Sequence, residues 1–261
     1  MTTQLSKETI HQAVQNVYGA VARTRNKEGK SEECCAPSCC STETKPLSDY
    51  TPEELASVPK GAYLGEGSGA PVRHLGLKPG EVVVDLGSGA GMDTFLAANA
   101  VGAAGRVHGF DLTPDMLERA HANAAAGGYK NVSFERTDIE KLPLPDGAAD
   151  AAISNCVINL TPDKAAVYRE IHRVLKPGGR ISIADIVLRG TEEAVRKFRD
   201  SSSVGSWCAC VSGALTEQDY LAATRSAGFS DVRIAAERLA QSQPGGELSG
   251  VAVTITAHKL A

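Results

Sequence analysis

The chain has 261 residues, 42% of them hydrophobic, and a formal net charge of −4. The hydrophobic share supports a sizeable core and excludes global disorder, while a mildly acidic balance without a basic stripe excludes the electrostatic footprint of a nucleic-acid binder. Neither the apolar segment of a secretory signal nor a run of about 18 apolar residues occurs, so a cytoplasmic protein with no membrane partner is expected.

In chain order, residues 6–22 predict a helix capped by Ser6, with Ile10, Val14, Val17, Tyr18 and Val21 on one face. Residues 24–50 are polar and read as a linker. Inside it, "EECCAPSCCS" holds Cys34, Cys35, Cys39 and Cys40, four of the chain's seven cysteines. Cytoplasmic thiols stay reduced and seven is an odd count, which argues against a disulfide knot. Structural zinc spaces its paired ligands roughly two to four residues apart, whereas these pairs are adjacent, which argues against a zinc knuckle.

From Glu81 onward strands alternate with helices. "EVVVD" is a short apolar strand followed by the glycine turn "LGSGAG"; "MDTFLAANAV" is a helix; "RVHGFD" is a second strand ending in an acid. "TPDMLERAHANAAAGG" is a helix with Thr113 as cap, Pro114 at its first position and Gly127 as its stop. "NVSFERTD" and "DAAISN" are the third and fourth strands. "TPDKAAVYREIHRVLKPGG" repeats the Thr-Pro helix start and ends at Pro177-Gly178-Gly179, and "RISIADIVL" is the fifth strand. This alternation predicts βαβ units and a parallel sheet, with "SDVRIAAERL" and "SGVAVTITAHKL" as an antiparallel end. Residues 190–225, carrying Trp207, Cys208 and Cys210, read as an insertion over the site.

The glycine turn carries the first chemistry. Gly87, Gly89 and Gly91 follow a strand directly, and Asp111 ends the next strand 24 positions after Gly87. Glycines let a backbone approach a ligand closely, and an acid at that distance accepts hydrogen bonds from a ribose diol. A dinucleotide site favours G-x-G-x-x-G, but here the third glycine comes one residue early and Asp85 precedes the turn. Ligands of open parallel sheets bind beyond the carboxyl ends of strands, and the fourth strand runs into "SNCVINL", which puts Cys156 where an acceptor would lie. None of the six histidines, His11, His74, His108, His121, His172 and His258, sits in an acid–base motif.

"VVVDLGSGAG", "TDIEKLPLPDGAAD" and "VLKPGG" resemble the motifs of the Rossmann-like S-adenosylmethionine-dependent methyltransferases over residues 81–188. With "ISNCVINL", "W-x-x-C-x-x-GAL" and a Cys-Cys pair in the linker, the chain resembles the arsenite methyltransferases over nearly its whole length. That resemblance implies an α/β, Rossmann-like, doubly wound, mostly parallel seven-stranded sheet. It also implies an N-terminal helical, cysteine-rich extension (residues 1–80), a cofactor core (81–188), an arsenic-binding insertion after strand five (189–225) and C-terminal strands (226–261).

It further implies S-adenosylmethionine as cofactor, held by Asp85, Gly87, Ser88, Gly89, Gly91, Asp93, Asp111, Leu112, Met116, Asp138, Ile139, Glu140 and Asn155. Cys156 and Cys210 match the family's pair of arsenic ligands, with Cys34, Cys35, Cys39 and Cys40 as further thiols and Cys208 without a counterpart. Cys34 and Cys35 fall in the region of the family's redox-active cysteine, served by a thiol reductant such as thioredoxin or glutathione. Tyr63 and "GEGSG" are expected near the cofactor, where Glu66 stands in place of a cysteine usual in the family. Soft thiolates select soft centres such as trivalent arsenic. The competing readings are a small-molecule C-, N- or O-methyltransferase with incidental cysteines, and a thiol-based metal or metalloid binding module. For the linker cluster, the competing reading is a disordered, thiol-rich segment without a fixed role.

Overall fold

The structure is a computed structural model that describes residues 6–25, 48–200, 213–242 and 247–261, the side chains of residues 199, 200, 241 and 242 excepted. Seven strands form one sheet: β1 (Val82–Leu86), β2 (Arg106–Asp111), β3 (Val132–Arg136), β4 (Ala149–Asn155), β5 (Leu175–Gly190), β6 (Phe229–Ser242) and β7 (Leu248–Lys259). Their spatial order is β3-β2-β1-β4-β5-β7-β6. The first five pair in parallel, and β7 pairs antiparallel with both β5 and β6. Order reverses between β1 and β4, and in an open parallel sheet the ligand crevice forms beyond the strand ends at that reversal.

The central strand explains its own placement. Val83, Val84 and Leu86 of β1 are fully buried, as a parallel strand covered by helices on both faces requires. Among the described residues the α-helices are α1 (Lys7–Thr24), α2 (Pro52–Ala56), α3 (Met92–Val101), α4 (Pro114–Gly127), α5 (Lys164–Val174), α6 (Glu192–Asp200) and α7 (Glu217–Ser226). Thr113 and Pro114 start α4 as read from the sequence, and left-handed Gly128 closes it. Among the described residues no helix is long and apolar enough to cross a membrane.

Several expectations change. Val17 of α1 is 42% exposed; the buried line of that helix runs through Ile10, Gly19 and Ala22. Helix α5 starts at Lys164 under the Asp163 side chain, not at Thr161. Thr161 instead closes a 3-10 turn over Ile158–Leu160, its hydroxyl donating to the Ile158 carbonyl. Pro177-Gly178-Gly179 lie inside β5, where the pairing with β4 jumps from Ala149–Leu175 to Ala151–Arg180 and left-handed Gly178 absorbs the extra residues. Helix α7, placed by its sequence position in the covering insertion, belongs to the core layer: Tyr220 is fully buried and meets Tyr168 edge to face at 5.9 Å.

Candidate active site

The loop from β1 to α3 is a turn that only glycine can build. Gly87 has φ +72°, and a Cβ there would lie 2.2 Å from the Val157 side chain. The turn is tied to β2: the Gly87 and Ser88 amides donate to the Phe110 carbonyl at 2.7 and 3.0 Å. Gly89 also has φ +53°, yet a Cβ there would meet nothing closer than Met116 Sδ at 3.9 Å. The space beside Gly89 is thus open, and it lies against Asp111, whose Oδ2 accepts from the Gly89 amide at 2.9 Å while Oδ1 accepts from the Thr113 amide at 2.8 Å. Burial raises the Asp111 pKa and those two donors oppose it. Each carboxylate oxygen keeps a second lone pair for a ligand hydroxyl.

Beside this turn lies a buried polar network. Asp93, in the first turn of α3, accepts at Oδ2 from the Tyr50 hydroxyl at 2.7 Å and from Asn155 Nδ2 at 3.0 Å. Asn155, the last residue of β4, also donates to the Gly69 carbonyl at 3.0 Å and accepts from the Ser68 amide at 2.8 Å. Tyr50 meets Tyr63 edge to face at 5.6 Å, and Tyr63 shares a 2.7 Å hydrogen bond with Ser48. Burial pushes Asp93 up to about 6 against the hydrogen bonds from Tyr50 and Asn155. Burial, then the charge of Asp93, pushes Asp85 well above the carboxylate range, although Thr94 donates to it at 2.6 Å. Asp93 Oδ1, Ser88 Oγ and Ser68 Oγ are buried without a protein partner. Buried oxygens of this kind call for a ligand or water.

Cys156 follows β4 on the other side of Asn155. Its φ of +61° is left-handed, a conformation that costs a residue with a side chain about 1–3 kcal/mol and persists only where its surroundings impose it. Its amide donates to the Ala184 carbonyl of β5 at 2.8 Å. Cys156 packs against Leu160 and Ile186, a pair that Val14 and Tyr18 of α1 also cover. Helix α1 therefore lies across the carboxyl edge of the sheet. Its start is fixed by Lys7, which bonds to Asp138 and Glu140, and its end by Arg23 to Asp115 at 2.7 Å. Arg119 donates to the Ala22 and Arg25 carbonyls at 2.6 and 2.7 Å. Arg25 pairs with Glu66 at 2.7 Å, and burial raises the Glu66 pKa against the opposing charge of Arg25.

A methyltransferase domain profile matches residues 77–228. The arsenite methyltransferase of Halobacterium salinarum is 38% identical over 90% of this chain and 61% of its own length, and that of Aquipseudomonas alcaligenes is 38% identical over 86% and 63%. The solved arsenic(III) S-adenosylmethionine methyltransferase of Chlamydomonas reinhardtii aligns with a TM-score of 0.66 and 33% identity, over 82% of this chain and 72% of that one. The chain belongs to the arsenic(III) S-adenosylmethionine methyltransferase family. It spans about three fifths of the length of the two curated arsenite methyltransferases it matches.

As a member of that family, the chain offers a donor set that fits its cofactor. A paired acid faces open space at Gly89, and an unpartnered carboxylate oxygen on Asp93 with two serine hydroxyls suits the ammonium-bearing end of an amino acid. The structure brings Asp85, Gly87, Ser88, Gly89, Gly91, Asp93, Asp111 and Asn155 to one end of the sheet. Leu112 follows Asp111, and Met116 is buried below α1 with Ala22, Leu64 and Ala90. Ile139 is buried in the main core cluster with Phe110 and Leu142. Asp138 and Glu140 stand at the rim, held by Lys7, and with His11 form the one His/Cys/Asp/Glu cluster of metal-ligand spacing among the described residues. Cys34, Cys35, Cys39, Cys40, Cys208 and Cys210 lie outside the described residues. The sequence reading missed Tyr50 and Lys7; each acts from a segment read as appendage or linker, and no local motif marks them.

Proposed function

We propose that this chain transfers the methyl group of S-adenosylmethionine to trivalent arsenic held by cysteine thiolates. The observation that carries the reading is Cys156, a thiol-bearing residue in a left-handed conformation at the end of β4, next in the chain to Val157, whose side chain lies against Gly87. Bound over the glycine turn, the cofactor would supply an electrophilic sulfonium methyl. Asp111 would take its ribose, Asp138 and Ile139 would face its adenine, and Asp93 with Ser68 and Ser88 would take its amino-acid end. The protein's part is to hold the arsenic lone pair in line with that methyl, and alignment of this kind is worth effective molarities of about 10⁵ M or more. The lone pair would form the new arsenic–carbon bond as the methyl's bond to the sulfonium sulfur breaks and S-adenosylhomocysteine leaves, so no proton leaves the nucleophile and no general base is needed. Arsenic becomes formally pentavalent. Two thiols then return it to the trivalent state while forming a disulfide, which an external thiol reductant such as thioredoxin or glutathione clears.

Cys210 is the proposed second arsenic ligand, and the linker cysteines the proposed redox thiols. Glu66, paired with Arg25, offers no soft ligand. Two thiolates suit a trivalent arsenical with one carbon substituent, which has two exchangeable positions. We therefore expect a mono-organic arsenical to be methylated at least as fast as arsenite. Incubation with S-adenosylmethionine, a thiol and each arsenical, with the products separated by arsenic speciation, tests both statements. No methylated arsenic from either substrate overturns the function, and clear superiority of arsenite overturns the substrate preference.

A further inference from the structure

The turn after β4 is clamped from beneath by a group that the methyl transfer does not use. Asp185, in β5, is fully buried, and its carboxylate accepts three hydrogen bonds. They come from the Asn159 amide at 3.0 Å, the Ile186 amide at 2.9 Å and the Tyr220 hydroxyl at 3.1 Å. Asn159, also fully buried, returns a bond from Nδ2 to the Ile186 carbonyl at 2.6 Å. Lys164 donates to the Asn159 and Thr161 carbonyls at 3.3 and 3.0 Å and closes the far end of the same turn.

These contacts surround the strained residue. Cys156 is tied at its amide to Ala184, one residue before Asp185, and Asn159 is tied to Asp185 and Ile186 three residues further along the turn. Between them, Val157 presses on Gly87 of the cofactor turn. A buried carboxylate is costly to keep unless several donors satisfy it, and here the donors it recruits are those that fix the turn. An apolar residue at position 185 would fill the core but would leave the Asn159 amide without an acceptor.

We propose that Asp185, Asn159 and Tyr220 are positioning residues that hold Cys156 in its left-handed conformation and so aim its thiol at the arsenic subsite. The proposal rests on the methyl-transfer reading for what the thiol binds, but not for the clamp itself. Releasing the clamp lets Cys156 relax to an ordinary backbone conformation, which moves the thiol without touching the cofactor turn's own hydrogen bonds.

The test uses Asn159→Ala and the milder Tyr220→Phe, which keeps the buried ring against Tyr168 and removes only the hydroxyl. In the full chain, the alkylation rate of Cys156 is followed by peptide mass spectrometry with and without a phenyl-substituted trivalent arsenical, and S-adenosylhomocysteine affinity is measured alongside. The expected result is a Cys156 alkylation rate changed about tenfold in Asn159→Ala and about threefold in Tyr220→Phe, with kcat/KM for the arsenical lowered in the same order and S-adenosylhomocysteine affinity held within about twofold. A purely structural role would shift all of these together. Wild-type alkylation rates and arsenical kcat/KM in both variants overturn the proposal, as does a parallel loss of cofactor affinity. If the arsenical fails to protect Cys156 in the wild-type chain, the arsenic reading falls, and the alkylation rates of the variants still decide the clamp.

Discussion

The two sides of the sheet's carboxyl edge are built from different materials. Around β1 and β2 the site is made of backbone: left-handed glycines, amides aimed at Asp111 and a carbonyl at Phe110. Around β4 and β5 it is made of side chains: Cys156 in a conformation that glycine would adopt more readily, with Asp185, Asn159 and Tyr220 behind it. The first side can serve any ligand of the cofactor's shape, which is how one fold hosts many acceptors. On the proposed reading, the second serves an acceptor held by a thiol.

That division can be broken most sharply at Cys156. Cys156→Ser should lower methylation of trivalent arsenicals by roughly 10³-fold or more, about 4 kcal/mol of barrier, while S-adenosylhomocysteine binding by calorimetry stays within about twofold. Loss of cofactor binding in that variant would mean the two sides are not separable. Gly87→Ala strikes both sides at once, since its Cβ would enter Val157 and its φ is left-handed. It should cost about 3 kcal/mol of stability in chemical denaturation and lose cofactor affinity and turnover together.

The buried acids give a pH signature. Burial raises Asp185 to about 6, opposed by the amides of Ile186 and Asn159, so the folded chain binds a proton there that the unfolded chain has already lost. Stability from this group is therefore present at low pH and is lost as pH rises from about 4 to about 6. Asp185→Asn should gain stability relative to wild type across that window, by up to about 3 kcal/mol, in denaturant titrations at fixed pH values; a pH-independent difference would contradict the shift.

Gly89→Ala separates the sides in the opposite sense from Cys156→Ser. With open space beside it, the fold should lose only about 1 kcal/mol for the left-handed backbone, whereas cofactor affinity should fall about tenfold or more. The smallest effect belongs to the far edge of the sheet, where Arg180 holds Glu81 through two hydrogen bonds at 2.9 and 2.7 Å. Glu81→Gln should cost about 1 kcal/mol or less and leave methylation and cofactor affinity unchanged.

The same division explains what could be read from the sequence. The glycine turn, Asp111 and the βαβ order were legible because backbone geometry dictates residue type locally: Gly87 tolerates no Cβ, and the apolar run of β1 admits one burial pattern. Cys156 was legible from its place after a strand, but not its strain, which depends on β5. Tyr50 reaches Asp93 over 43 positions and Lys7 reaches Glu140 over 133, and no periodicity or spacing carries contacts of that range. The Asp163 cap of α5 was hidden because Thr-Pro is an equally good helix start, and the 3-10 turn before it had already engaged Thr161. Val17 was misplaced on the buried face because α1 packs across strand ends with a narrow line of contact, leaving one apolar residue outside it.

The central claim is that Cys156 holds trivalent arsenic beside the methyl donor. A crystal structure of the full chain with S-adenosylhomocysteine and a phenyl-substituted trivalent arsenical, with data collected at the arsenic absorption edge, tests it directly. The expected result is an arsenic peak bonded to Cys156 Sγ, with S-adenosylhomocysteine over the glycine turn and its amino-acid end against Asp93. Arsenic bound to other cysteines with Cys156 Sγ bare, or a cofactor seated away from Asp93 and Asp111, would contradict it.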